Sequence, residues 1–279
     1  MNAAGLFQIT RPANAVAAGL TAVVAYLIAT STLVPAVLLL FFVVVLITAA
    51  GNVINDYYDV GIDRVNRPDR PIPSGRVTLR AARAWAVTLF LAGILLCIPT
   101  NRICLAIAVF NAFLLVLYAA WLKRLPLVGN LAVSYLSGSM FIFGGALDGL
   151  PGMLRVLPFA IMTFFAMLSR ELVKDAEDIE GDRASGAVTL PIRYGIRPTA
   201  IIALASAILA TLASLVPYSW WGPGYLAGII IVDGMILAAC VKALRCTTAG
   251  SVKASGASAL LKAGMFGSVA VFAFSVIFL

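Results

Sequence analysis

Histidine is absent from this 279-residue chain. That excludes imidazole general-base catalysis, histidine-ligated haem and most zinc sites. Charge is scarce as well: Asp, Glu, Lys and Arg make up 11% of the residues, where a soluble domain carries about 25%. So little charge cannot clothe a protein in a hydrated surface. The four cysteines, Cys97, Cys104, Cys240 and Cys246, show no CxxC spacing and fall in or beside apolar runs. They read as small buried hydrophobes, with no disulfide framework or thiolate metal site implied. The opening MNAAGLFQITRPANAVAAGL lacks a basic n-region and a cleavage site. It reads as the lead into a first span rather than a secretory signal.

Apolar residues fill the space that charge leaves, at 62% of the chain. Runs long enough to cross a hydrocarbon core of about 30 Å, which takes about 20 residues, recur throughout. Their Pro, Gly and charge punctuation predicts nine spans, near residues 13–33, 36–56, 79–98, 103–122, 127–147, 156–175, 198–216, 223–244 and 259–279. The expected fold is an all-α polytopic membrane protein, one domain over residues 1–279. With nine spans, 18 of the 20 basic residues fall on one side, leaving only Arg102 and Arg155 on the other. The basic-rich side is cytoplasmic by the positive-inside bias. The net charge of +8 therefore records topology, not a nucleic-acid partner.

The acids are placed more selectively still. Ten of the twelve lie in two cytoplasmic segments, around NDYYDVGID at 55–63 and KDAEDIEGD at 174–182. An offset of 119 residues superimposes Asp56, Asp59, Asp63 and Arg64 on Asp175, Asp178, Asp182 and Arg183. The same shift carries the later spans onto the earlier ones, so helices 1–4 and 5–8 read as a parallel internal repeat.

At about 100° per residue, positions i, i+3 and i+7 of a helix share one side. Asp56, Asp59 and Asp63 thus form one carboxylate stripe, with Asn55 at its edge, and Asp175, Asp178 and Asp182 form another. Glu177 and Glu180 point away. A charge run is ordinarily a solvated helix end, but matching register in two segments argues for a shared task. Like charges so spaced repel, and oxygen-only ligands suit Mg²⁺, which shares its shell with phosphates. Two such clusters facing each other across a cavity would hold two ions and a diphosphate. Asp148 is expected in an outer loop, and Asp233 as a buried polar contact.

NDYYDVGIDRVNRPDRPIPSG and RELVKDAEDIEGDRASGAVTLPIRYG resemble the two aspartate-rich motifs of the UbiA superfamily of intramembrane prenyltransferases. RPAN at 11–14 and YAAWLKR at 118–124 are similar to its lesser motifs, the latter with Ala where Ser is usual. The resemblance covers nearly the whole chain. It implies a nine-helix bundle with a central cavity under cytoplasmic loops, and prenyl transfer from an allylic diphosphate to a lipid-like acceptor. It further implies that Asn55, Asp56, Asp59, Asp63, Asp175, Asp178 and Asp182 ligate Mg²⁺, two ions in all. Asn14, Arg64, Arg67, Tyr118, Lys123, Arg124, Lys174 and Arg183 become candidates for the diphosphate or an anionic acceptor. The wording is most similar to the archaeal branch, which implies geranylgeranyl transfer to geranylgeranylglyceryl phosphate in membrane-lipid synthesis. An aromatic acceptor such as 4-hydroxybenzoate, and a secondary transporter, stand as alternatives. No protein partner is implied.

Overall fold

The structure, a computed structural model, describes residues 2–184 and 186–279, without the side chains of Val65 and Asn66. Every regular element among them is a helix. The chain divides into two compact units, Met1–Leu122 with Met140–Leu154, and Lys123–Ser139 with Arg155–Leu279.

The first unit opens with a short helix, α1 (Ala3–Ile9), then α2 (Pro12–Thr30) and α3 (Val37–Tyr58). A brief α4 (Val60–Asn66) precedes α5 (Leu79–Cys97) and α6 (Arg102–Ala120). α3 is the central helix, packed against α2, α5 and α6. Its Leu40, Val43, Ile47, Ala50, Val53 and Ile54 are all buried, a 3–4 spacing that keeps one face inward. Without a hydrophobic drive between helices in lipid, close backbone approach does the packing. Gly144 shows how close: a Cβ there would lie 2.3 Å from the Ala22 carbonyl oxygen.

Two helices run through the division between the units, α7 (Val128–Ala146) and α8 (Gly149–Glu177). The second unit continues with α9 (Ile179–Ala184), α10 (Leu190–Tyr194), α11 (Ile196–Ser214), α12 (Tyr218–Leu244), α13 (Ala249–Ser255) and α14 (Ala257–Phe278). α12 packs against α11 and α14. Ala200, Ala203, Ala207 and Ala210 form the buried stripe of α11. Gly222, at φ 63°, breaks α12 just before Pro223, where the sequence placed the start of a span. Asp233 of α12 accepts the Ser214 hydroxyl at 2.6 Å, the buried polar contact expected of it.

Nine helices of 19 or more residues occur among the described residues, close to the nine expected segments. Eight are long and apolar enough to cross a membrane. The other is α7, diluted by Asn130, Ser134, Ser137 and Ser139. Multiple apolar helices make this a multi-pass membrane protein. In α8, Arg155 and Asp175 are 20 residues apart, about 30 Å along a helix, or one hydrocarbon thickness. Arg155 stacks over Trp220, 5.2 Å from its ring centroid. Phe159 packs on Trp220, Trp221 and Phe272, an aromatic cluster near the end of α8 remote from its acids.

Candidate functional site

Each acidic segment begins where a buried helix runs out of apolar residues. Asp56 follows Val53 and Ile54 on α3 and is buried with them, only 4% exposed. The expectation of one continuous helix needs correction: α3 ends at Tyr58, and Asp59 (φ −87°, ψ 1°) separates it from α4. Aspartate competes with helical hydrogen bonding and favours caps. The ladder nonetheless carries through the break. Asp59 N–H donates to the Asn55 carbonyl at 3.0 Å, and Asp63 N–H to that of Asp59 at 2.8 Å. The helical register survives, and so does the stripe.

Two arginines close on it. Arg70 Nη1 donates to Asp56 Oδ1 at 3.2 Å and to Asp63 Oδ2 at 2.6 Å. Arg11 Nη2 donates to Asp56 Oδ1 at 2.5 Å. Asn55 Nδ2 donates to Asp59 Oδ2 at 2.9 Å. Arg11 is the N-cap of α2 in the left-handed region, φ 50° and ψ 65°, where a non-glycine residue is held only by its surroundings. Its backbone N–H donates to the Gln8 carbonyl at 3.1 Å and its carbonyl accepts the Asn14 and Ala15 N–H groups.

The second unit repeats this break. α8 ends at Glu177, Asp178 interrupts, and α9 follows. Asp178 N–H donates to the Lys174 carbonyl at 3.0 Å and Asp182 N–H to that of Asp178 at 2.9 Å. These are the first unit's bonds moved by 119 residues. Asn130 Nδ2 donates to Asp175 Oδ2 at 2.8 Å. Asn130 lies 45 residues before Asp175, as Arg11 lies 45 before Asp56. Asp178 is exposed, while Asp182 is half-buried. Burial first, and then the charge of Asp178, push the Asp182 carboxyl up to about 6, against the pull of Lys174. Glu177 turns elsewhere, accepting the Ser258 backbone N–H at 3.3 Å.

The basic candidates are less gathered. Arg64, Arg67, Arg124 and Arg183 are exposed, as is Asn14, while Lys123, Lys174 and Tyr118 are half-buried. Lys123 and Arg124 belong to a 3₁₀ turn, Leu122–Arg124. The Arg124 carbonyl accepts the Val188 N–H at 3.3 Å, fastening that turn to the loop after α9.

Sequence reasoning missed Arg11, Arg70 and Asn130 as partners of the stripes. The offset of 119 would have found Asn130 from Arg11. Nothing in RPDRPIPSG, a turn-rich stretch, marks Arg70 as the residue that folds back.

Among the described residues no three carboxylates form a ready-made metal cage. Arg70 Nη1 nonetheless tests the fit. It is a cation that Asp56 and Asp63 already share, so two carboxylates of this stripe converge on one positive centre. Oxygen-only donors of this kind match Mg²⁺.

Comparison with known proteins agrees with this architecture. Residues 18–274 match the UbiA prenyltransferase family, and the chain belongs to that family. It is 60% identical over 279 residues to the digeranylgeranylglyceryl phosphate synthase of Methanoregula boonei, covering 100% of both chains. A solved structure of a digeranylgeranylglyceryl phosphate synthase is 34% identical, with a TM-score of 0.84 over 99% of this chain and 98% of that one. A UbiA homolog from Archaeoglobus fulgidus bound to GPP and Mg²⁺ shares the fold at 15% identity, with a TM-score of 0.61 over 95% and 99% of the two chains.

Proposed function

We propose that this chain transfers a geranylgeranyl group from geranylgeranyl diphosphate to geranylgeranylglyceryl phosphate, as one membrane-embedded catalytic domain over residues 1–279. The observation that carries the reading is the full-length identity to the Methanoregula boonei enzyme. In this reading Asn55, Asp56, Asp59 and Asp63 hold one Mg²⁺, and Asp175, Asp178 and Asp182 a second. The convergence of Asp56 and Asp63 on one cation supports the first. The burial that raises the Asp182 carboxyl, with the charge of Asp178 added to it, is a cost that a bound cation would offset, and supports the second. GPP and Mg²⁺ bound to a homolog of the same fold fit both. When bound, Mg²⁺ neutralises the leaving diphosphate.

The chain's own residues do the rest. Arg64, Arg67, Lys123, Arg124, Lys174 and Arg183 supply fixed positive charge for the diphosphate and for an acceptor that carries its own phosphate. Asn14 and Tyr118 add hydrogen bonds. The apolar spans shelter the isoprenoid and its allylic cation from water. No histidine exists to deprotonate the acceptor hydroxyl, so an aspartate of one stripe is the available base.

The test gives purified protein geranylgeranyl diphosphate, Mg²⁺ and a panel of acceptors. The doubly alkylated glyceryl phosphate is expected to form, with 4-hydroxybenzoate left mostly unmodified. Efficient prenylation of the aromatic acid alone would move the assignment to a quinone pathway. A donor that crosses vesicles chemically unchanged would favour a transporter.

The reading also fixes orientation: nine spans, with both acidic segments on the cytoplasmic face. In a cysteine-free background, Asn66→Cys and Ser185→Cys should both react with a membrane-impermeant maleimide added from the cytoplasmic side. Labelling from opposite sides would sink the span count and the repeat together.

A further inference from the structure

The first stripe is not a row of bare carboxylates. Its two buried members carry a complete set of protein counter-ions, Arg70 on both and Arg11 on Asp56. We propose that Arg70, seconded by Arg11, is a built-in competitor of Mg²⁺ for Asp56 and Asp63, so that this stripe takes up metal together with a diphosphate rather than before it. The inference rests on the reading that the stripe ligates Mg²⁺.

The side chains of Asp56 and Asp63 are 5% and 7% exposed, and that of Arg70 is 19% exposed. Charges so far from water attract strongly. An ion seeking the same oxygens must first displace the guanidinium from both carboxylates. One Mg²⁺ carries the charge of the two arginines it would replace, so the exchange leaves the stripe's net charge unchanged. Its penalty is elsewhere: two guanidiniums lose their anions in a half-buried setting.

A diphosphate removes that penalty. A guanidinium presents a planar fork of donors that fits phosphate oxygens as well as carboxylate oxygens. Freed arginines therefore have a new partner only when the diphosphate is present. Metal and diphosphate affinities are then linked, each raising the other.

The test titrates metal-free, full-length protein in detergent with Mn²⁺ alone, following the free-ion signal by electron paramagnetic resonance. Wild type is compared with Arg70→Gln, Arg70→Lys and the double variant Arg70→Gln with Asp59→Ala. Removing the competitor should tighten Mn²⁺ binding by about tenfold in Arg70→Gln. Arg70→Lys, which keeps the charge but lacks the fork, should fall between it and wild type. Should Arg70→Gln fail to fold, the Arg70→Lys value decides. Unchanged or weaker Mn²⁺ binding in the arginine variants overturns the inference while leaving the metal reading intact. Equal Mn²⁺ binding by Arg70→Gln and by Arg70→Gln combined with Asp59→Ala would instead overturn the metal reading, and this inference with it.

Discussion

Asp178→Ala lowers kcat/KM for prenyl transfer by about 10²–10³-fold, the scale of losing one preorganised electrostatic contact, while its neighbour Glu177→Ala stays within about threefold of wild type. The two acids are adjacent in sequence and opposite in role. Asp178 occupies the break between α8 and α9, its side chain exposed, close enough to raise the Asp182 carboxyl. On the proposed reading its removal deletes an oxygen ligand of Mg²⁺; it also removes a like charge beside Asp182, so the folded state should be no less stable. Glu177 caps the start of α14 through the Ser258 N–H, one of the orphan donors of a helix N-terminus. Its truncation should lower stability by about 0.5–2 kcal/mol and touch the chemistry little. Steady-state kinetics and thermal unfolding of both variants separate the roles. Glu177→Ala proving the more damaging to turnover would mean that the stripe is drawn through the wrong residues.

Asp56→Ala is expected to lose both transfer and stability. Asp56 meets Arg11 and Arg70 together. Truncating it strands positive charge beside an apolar helix end. Breaking a buried pair costs about 3–5 kcal/mol. The Arg11 side chain is 34% exposed, and water screens its share, so about 2–4 kcal/mol is the expected loss. Unfolding in detergent and a transfer assay on the surviving folded fraction measure the two effects. Asp56→Ala melting with wild type would show that the ion-pair array does not support the fold.

These contrasts turn on what sequence periodicity can and cannot convey. The spans were legible because lipid demands long apolar runs and every break needs Pro, Gly or charge. Predicted segments 79–98 and 127–147 meet α5 and α7 within a residue or two. The first span was expected to continue to residue 33. It stops at Thr30, where Ser31 turns left-handed at φ 56°, because apolar Leu33 and Val34 belong to the loop. The 156–175 segment is the inner part of a longer helix, α8, since a helix need not end where the membrane does. The short helices α1, α4, α9, α10 and α13 left no signal of their own, being too brief to show a period. Within the site, the stripes were legible because helical register follows from spacing alone. Their partners were not. Arg70 returns to Asp56 and Asp63 through a turn-rich loop, and a fold-back of that kind is set by tertiary packing.

The correspondence between Arg11 and Asn130 has a wider consequence. Each addresses the first aspartate of its own stripe from the same distance along the chain, yet one brings a full positive charge and the other only an amide. A symmetric pair of identical subunits must carry the same residue at both places. A single polypeptide whose two acidic segments match in register is free of that restriction, and here the partner of the first aspartate differs between them. The two segments therefore differ in electrostatic character before any substrate arrives.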